Sequence, residues 1–303
     1  MRVHVVGNVC VDTTFRLERF PQPGETLNAS DHADGLGGKG ANQAVAAART
    51  GADVRLLAAI GNDAAGTWIR QQLSRDLDAG YLTTLPLQSD RSTIMVDVRG
   101  ENLIVTGADC AAAFDPLAGN GFASSIERGD IVVMQGNLHP DATAACLRSA
   151  RGAGAMTIFN ASPLAAGHAP DLSAASLAVV NAGEAAQLTG IGDPAAAARD
   201  LIRQGAGAAI VTLGAHGCLV ASGEGRIDRI AAPKVAVVDT SGAGDVLCGC
   251  LAGCLAAGID LTAAARIAVR AAAISVGRAG TLGSCPDRRE MKMLMETTEA
   301  KTA

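Results

Sequence analysis

Short apolar, β-branched runs recur along the chain and alternate with alanine-rich stretches of helical period. Val3–Val6, Arg55–Ala59, Ile131–Gln135, Met156–Asn160, Leu177–Asn181 and Ala208–Leu213 are bounded by Gly, Asp or Asn. Unbroken apolar runs of this kind predict strands covered on both faces. Between them, Gly40–Thr50, Ala65–Asp78, Ala142–Gly152, Gly183–Thr189 and Pro194–Gln204 predict helices with Gly, Asp or Pro at their ends. Repeated strand–helix order predicts an α/β fold of three layers, an open, mostly parallel sheet with helices on both faces. A further strand is expected at Val235–Val238, and from Gly242 onward helices broken at Gly258-Ile259-Asp260 and Gly277.

Two segments leave this rhythm. Thr13–Asp34 and Ser92–Thr106 are more polar and alternate at period two, as in Thr93, Met95 and Asp97, then Leu103 and Val105 across the turn Arg99-Gly100-Glu101-Asn102. That alternation predicts half-exposed hairpins. They are read as a small β lid, inserted at about 13–34 and 92–106 into a single domain spanning 1–303. No linker, repeat or low-complexity tract divides the chain.

Composition narrows the chemistry. Of 303 residues 49% are hydrophobic and 18% charged, and the net charge is −5. With no basic face, one Trp, one Tyr and five Phe, the chain is not expected to bind nucleic acid. The opening MRVHVVGNVCVD lacks a signal-peptide pattern, and the longest apolar stretch, Val246–Ile259, is too short to span a bilayer. A soluble, cytoplasmic protein without membrane partners is expected. Eight cysteines occur with no C-x-x-C pair, which predicts small buried hydrophobes in a reducing compartment, not disulfides or a metal cluster.

Four motifs carry chemistry. The first is Asp239-Thr240-Ser241-Gly242-Ala243-Gly244-Asp245, leading into an apolar helix. Glycines at 242 and 244 permit a tight turn whose N–H groups, at a helix N-terminus, form an anion site. Asp245 beside them is placed to accept a hydroxyl proton. Asp is equally common as a helix cap, and the local residues do not choose between the two roles. The second is Gly35-Leu36-Gly37-Gly38-Lys39-Gly40-Ala41-Asn42-Gln43. It satisfies G-x-G-x-x-G, but the polar approach Ser30–Asp34 is no buried strand, so a dinucleotide site is not expected, and Lys39 followed by Gly is no P-loop. A glycine turn entering a helix, with Asn42 in its first turn, suits a polyhydroxylated ligand. The third is Asn181-Ala182-Gly183-Glu184, whose oxygens suit Mg²⁺ through water, although N-x-x-E is also a capping pattern. The fourth is the glycine-bracketed turn Thr212-Leu213-Gly214-Ala215-His216-Gly217.

In this order and spacing, with Gly7-Asn8-Val9-Cys10-Val11-Asp12 and Phe20-Pro21-Gln22-Pro23-Gly24-Glu25 at the start, these pieces resemble the ribokinase-like (PfkB) carbohydrate kinases over about residues 3–287. The resemblance implies ATP-dependent phosphorylation of a sugar or sugar-derived hydroxyl, with Asp245 as the catalytic base and Gly242, Ala243 and Gly244 as the anion hole. It implies sugar contacts at Asp12, Gly38, Lys39 and Asn42. Asn181 and Glu184 would organise Mg²⁺ and phosphate, and Thr212, Gly214 and Gly217 would meet the nucleotide. Asp239, Ser241, Ser275, Arg278, Gly280 and Ser284 match positions around a monovalent cation, implying potassium. A homodimer through the lid is implied by analogy alone.

Two positions depart from the family pattern. Cys10 stands where an Asn is usual, and Asn137 where a Glu is usual, both at sugar contacts. A thiol is a poor hydrogen-bond partner and an amide carries no charge, so ribose in its usual pose is not expected. Cys10 packed away from the ligand remains the alternative. A nucleoside kinase on the same scaffold would want an aromatic slot that this composition hardly offers. A non-catalytic sugar sensor would have no need of Asp245 and its glycines, which are present.

Overall fold

The computed structural model describes residues 1–118, 121–165, 167–223 and 225–299. The chain opens with β1 (Val3–Val6), then turns aside for β2 (Cys10–Arg16) and β3 (Asp31–Gly37) before α1 (Lys39–Arg49). Next come β4 (Val54–Leu57), β5 (Ala59–Gly61), α2 (Ala64–Leu73), β6 (Thr83–Leu85), β7 (Arg91–Val96) and β8 (Asn102–Gly107). Short helices α3 (Asp109–Ala113) and α4 (Gly121–Ser125) lead into β9 (Ile131–Gln135), α5 (Pro140–Gly152) and β10 (Met156–Asn160). Then follow β11 (Leu177–Asn181), α6 (Ala182–Thr189), α7 (Pro194–Arg203) and β12 (Ala208–Thr212). A hairpin of β13 (Cys218–Ser222) and β14 (Arg226–Ile230) precedes α8 (Ala243–Ala256), α9 (Leu261–Val276) and α10 (Arg288–Glu299).

The main sheet runs β14-β13-β12-β11-β10-β9-β1-β4. It is parallel from β4 to β12 and antiparallel at β12, β13 and β14. Its inner strands are mainly apolar because helices cover both faces, and the core accordingly falls into two clusters, one around Val5, Ile131, Ile158 and Leu251, the other around Val132, Met134, Leu147 and Leu201. The expected βα alternation and three layers are present. The antiparallel edge was not expected. It begins at Gly217, whose φ of 87° only glycine adopts readily and where a Cβ would stand 1.9 Å from the carbonyl of Ile230.

The lid is a four-stranded sheet of order β3-β2-β7-β8, with β2 and β7 parallel and hairpin pairs on either side. Its first strand begins at Cys10, so the lid grows directly out of the loop that follows β1. Val235–Val238 is not a strand. Val235, Val237 and Val238 are 44%, 66% and 61% exposed, and the segment crosses the surface held by the Val238 N–H donating to the carbonyl of Val276. Hairpin β13–β14 already extends the sheet beyond β12, and β-branched residues without a partner strand or a buried face do not make a strand by propensity alone. The run expected at Arg55–Ala59 is also divided, into β4 and β5 around Ala58, and the helix expected to reach Asp78 ends at Leu73.

Helix α8 is apolar on all sides and is enclosed from Asp245 to Cys254. It packs on α1 closely enough that a Cβ at Gly249 would lie 2.2 Å from the Gln43 carbonyl oxygen and one at Gly253 2.1 Å from Thr50 Oγ1. All eight cysteines are buried and unpaired. Among the described residues no helix is long and apolar enough to cross a membrane.

Candidate active site

Neighbouring parallel strands deliver polar residues to one edge of the sheet, the carboxyl ends, where open α/β sheets bind ligands. Gly7 follows β1, Gln135 ends β9, Asn160 ends β10, Asn181 ends β11 and Thr212 ends β12. Gln135 pairs in register with Asn160, and Asn181 with Thr212.

Asp245 lies in the first turn of α8 and is 4% exposed. Its carboxylate does not cap its own helix, since no side chain caps α8. Both oxygens point to α1 instead: Asn42 Nδ2 donates to Oδ2 at 3.1 Å and Gln43 Nε2 donates to Oδ1 at 3.0 Å. Lys39 Nζ stands 4.0 Å from Oδ1. A buried carboxylate survives only when its lone pairs are met, and here neutral amides meet them. The capping alternative for Asp245 is thereby set aside.

The glycine loop that carries Lys39 and Asn42 wraps against the residues after β1. Gly38, the N-cap of α1 at φ 94°, passes so near Val9 that a Cβ would stand 2.7 Å from its Cα. The N–H of Ala41 donates to the Asn8 carbonyl at 3.1 Å. Asp12 reaches the same loop from the lid, its carboxylate lying across Gly37. Burial pushes the Asp12 carboxyl up, against the pull of hydrogen bonds from Cys10 and Ser92, and the nearby charge of Asp245 adds to the rise. Cys10 is buried beneath it, and its thiol donates to Asp12 Oδ1 at 3.2 Å. Burial drives that thiol far above its ordinary range. Cys10 thus supports the carboxylate and presents little surface of its own. Asn137 lies in the turn after β9, where its buried Oδ1 has no hydrogen-bond partner.

At the N-terminus of α8, Gly242 takes φ 75°, a left-handed conformation that glycine allows. The Ala243 N–H leans on the Thr240 carbonyl at 3.4 Å, so of the expected anion-hole donors it is the one partly engaged. Asp239 braces this turn: its Oδ1 accepts from the Ser241 N–H at 2.8 Å and its Oδ2 from the Gly280 N–H at 3.0 Å. Burial alone would push the Asp239 carboxyl up, but these amides outweigh it and hold it below the usual range. Of the six residues expected around a monovalent cation, Asp239, Ser241 and Gly280 come together. Ser275 and Ser284 donate to the carbonyls of Ala272 and Thr281 and keep oxygen lone pairs to offer. The Arg278 guanidinium turns away to Glu290, so only its main chain suits a cation.

An open cleft of about 740 Å³ is lined by Asn181, Gly183, Thr212, Gly214 and His216. Glu184 and Gly217 are not part of that lining. Asn181 and Glu184 form a reciprocal capping box, Asn181 Oδ1 accepting from the Glu184 N–H and Glu184 Oε2 from the Asn181 N–H, both at 2.8 Å. Glu184 keeps one carboxylate oxygen outside the box. Among the described residues no three His, Cys, Asp or Glu gather to hold a metal. This donor set suits Mg²⁺ that arrives on phosphate oxygens and is met through water, as Mg²⁺ commonly is.

Three polar residues of the site escaped the sequence reading. Gln43, Gln135 and Asn160 are buried and linked: Gln135 Nε2 donates to Gln43 Oε1 at 2.9 Å, and Gln43 Nε2 to Asn160 Oδ1 at 3.0 Å.

Comparison with known proteins finds relatives along nearly the whole chain. The ribokinase of Mus musculus is 32% identical over 97% of this chain and 94% of its own length. The deoxyribokinase of Salmonella typhi is 32% identical over 99% and 100%. The crystal structure of ribokinase from Thermotoga maritima superposes with a TM-score of 0.88 at 27% identity, covering 97% of this chain and 99% of that one. The model for "pfkB family carbohydrate kinase" matches residues 2–288. With the family model spanning nearly its whole length and relatives at 32% identity over almost all of it, the chain belongs to the pfkB family of carbohydrate kinases.

Proposed function

We propose that this ATP-dependent carbohydrate kinase acts on a free pentose, transferring the γ-phosphoryl group to its primary hydroxyl with Asp245 as general base. The observation that carries the role of Asp245 is its burial at the head of α8 with each oxygen held by an amide of α1. The pentose class rests on the ribokinase and deoxyribokinase relatives, at equal identity.

In this reading the sugar lies between Asp12, on the lid, and the loop 37–42. Asp245 takes the hydroxyl proton as the oxygen forms its bond to phosphorus, and the bond from phosphorus to the bridging oxygen breaks to release ADP. The N–H groups at 242–244 stabilise charge on the moving phosphoryl group. Mg²⁺, when bound, would neutralise phosphate charge, and Glu184 would meet its waters through the oxygen outside the capping box. The nucleotide occupies the cleft lined by Asn181, Thr212 and Gly214. A monovalent cation beside Asp239 would steady the same turn. Cytoplasmic action fits eight unpaired, buried thiols.

The test is ATP consumption against ribose, 2-deoxyribose, other pentoses, hexoses, sugar acids and nucleosides, with Mg²⁺ and with or without K⁺. Asp245→Asn should lower turnover on the order of 10³-fold while leaving the fold intact. Equal rates for the variant would remove Asp245 from the chemistry, and turnover confined to nucleosides would reject the pentose.

A further inference from the structure

Gln43 stands where the buried amide chain meets Asp245, and none of it reaches solvent. Its orientation is fixed at the end that meets Asp245 and Asn160. Asn160 Nδ2 donates to the main-chain carbonyl of Val179 at 2.9 Å, so Asn160 Oδ1 is the atom that faces Gln43. Gln135 Nε2 takes the other end, donating to Gln43 Oε1. The Gln43 amide nitrogen therefore gives one hydrogen to Asn160 and the other to Asp245, and a flipped amide would set like groups against each other at every contact.

Asn42 and Gln43 both donate to Asp245, yet they differ in what remains. Asn42 Oδ1 is buried without a partner, so Asn42 has a vacant acceptor for an arriving hydroxyl. In Gln43 both polar atoms are already engaged. Asp245 is thus held by one amide with an acceptor still unfilled and by another with both polar atoms engaged. The charged or titratable groups around it are Lys39 on α1, Asp12 on the lid and the Cys248 thiol on α8, which burial and the Asp245 charge push up. Gln43 adds a donor without adding charge.

Building on the reading of Asp245 as base, we propose that Gln43 is its positioning residue: a fixed amide donor that holds the carboxylate in one rotation throughout the catalytic cycle. A hydrogen bond to the charged form of a carboxylate favours that form, and an acceptor in the same place disfavours it.

Gln43→Glu keeps the shape and replaces the donating edge with a carboxylate that must share a proton with Asp245. With ribose or 2-deoxyribose as acceptor, whichever is faster, kcat at pH 7 should fall at least about 10-fold and both KM values stay within about threefold. The acid limb of the kcat–pH profile should move up by about one pH unit or more. A purely structural role would lower the melting temperature and leave kcat of the folded variant at its wild-type value once the pH is raised above that limb. Should Gln43→Glu fail to fold, Gln135→Met decides: it leaves Gln43 present but frees its carbonyl end, and should shift kcat and the limb in the same direction by less. A folded variant with an unmoved limb, or with KM raised and kcat unchanged, overturns the proposal. Asp245→Asn assayed alongside separates the two readings. If it retains turnover, base and positioning residue fall together; if it is inactive while Gln43→Glu matches the wild type, the role of Gln43 alone falls.

Discussion

At Gly37 the lid and the glycine loop come together at one atom. A Cβ there would stand 2.0 Å from Asp12 Oδ2, and that oxygen belongs to a carboxylate already steadied by the Cys10 thiol. Gly37→Ala must therefore turn Asp12 out of place. Because Asp12 is proposed to bind sugar and not to take the proton, the expected result is a rise in KM for the sugar of about 10-fold or more, with KM for ATP little changed. Steady-state kinetics read both. Cys10 shows how far single residues were legible. Sequence marks it as a poor partner for a sugar hydroxyl, and the structure gives the thiol a donor's role one layer back. Gln135 and Asn160 were harder to read, because a neutral amide closing an apolar strand has no local spacing to mark it. The one available signal was a polar side chain at the last position of a run otherwise buried on both faces.

Among the elements, the inner strands were legible to the residue at β1, β9, β10 and β11, since a short β-branched run between glycines and polar residues fits a strand buried on both faces. Val235–Val238 has the same composition and no partner, which propensity cannot register. Asn181 and Glu184 show the converse: a spacing read as both metal site and cap proves to be a complete capping box, with the metal role left to one remaining oxygen. The contact of α1 with α8 was invisible in sequence, being set by glycines that look like ordinary helix weakeners. Gly249→Ala would press a methyl group against the Gln43 carbonyl. It should cost about 1–3 kcal/mol, seen as a lower melting temperature. It should also lower kcat more than it changes either KM, because it parts the helix bearing Asp245 from the amides that hold it. An unchanged kcat in a destabilised variant would show that the site tolerates that displacement.

The whole molecule responds to pH through groups both outside the site and within it. His4 on β1 is fully buried, its Nε2 donating to Asp130 at 3.2 Å while Nδ1 has no partner. Burial holds its imidazole below the ordinary 6.5, against the pull of Asp130. The unfolded chain thus takes up a proton that the folded chain refuses, and stability present above pH 6.5 is lost as pH falls below it. Asp63, Asp130 and Asp239, whose carboxyls lie below the usual range despite burial, withdraw stability in the same sense below about pH 4. Asp12 and Asp90, held above it by burial, act in the opposite sense there. Thermal unfolding should give a lower midpoint at pH 5.5 than at 7.5, by roughly 2–4 °C for each kcal/mol. His4→Gln, which keeps a donor to Asp130 but does not titrate, should flatten that slope; a slope equal to the wild type would assign the effect elsewhere. One feature of the site also bears on the order of folding. Asp245 and the amide of Gln43 are separated by 202 positions along the chain. Among the described residues every strand of the three sheets precedes α8 in sequence, and contacts between neighbouring units form sooner than ones that close so long a loop. In refolding followed by kinase activity and by far-UV circular dichroism, activity should therefore return after the bulk of the secondary structure; simultaneous return would show that the long loop closes with the rest.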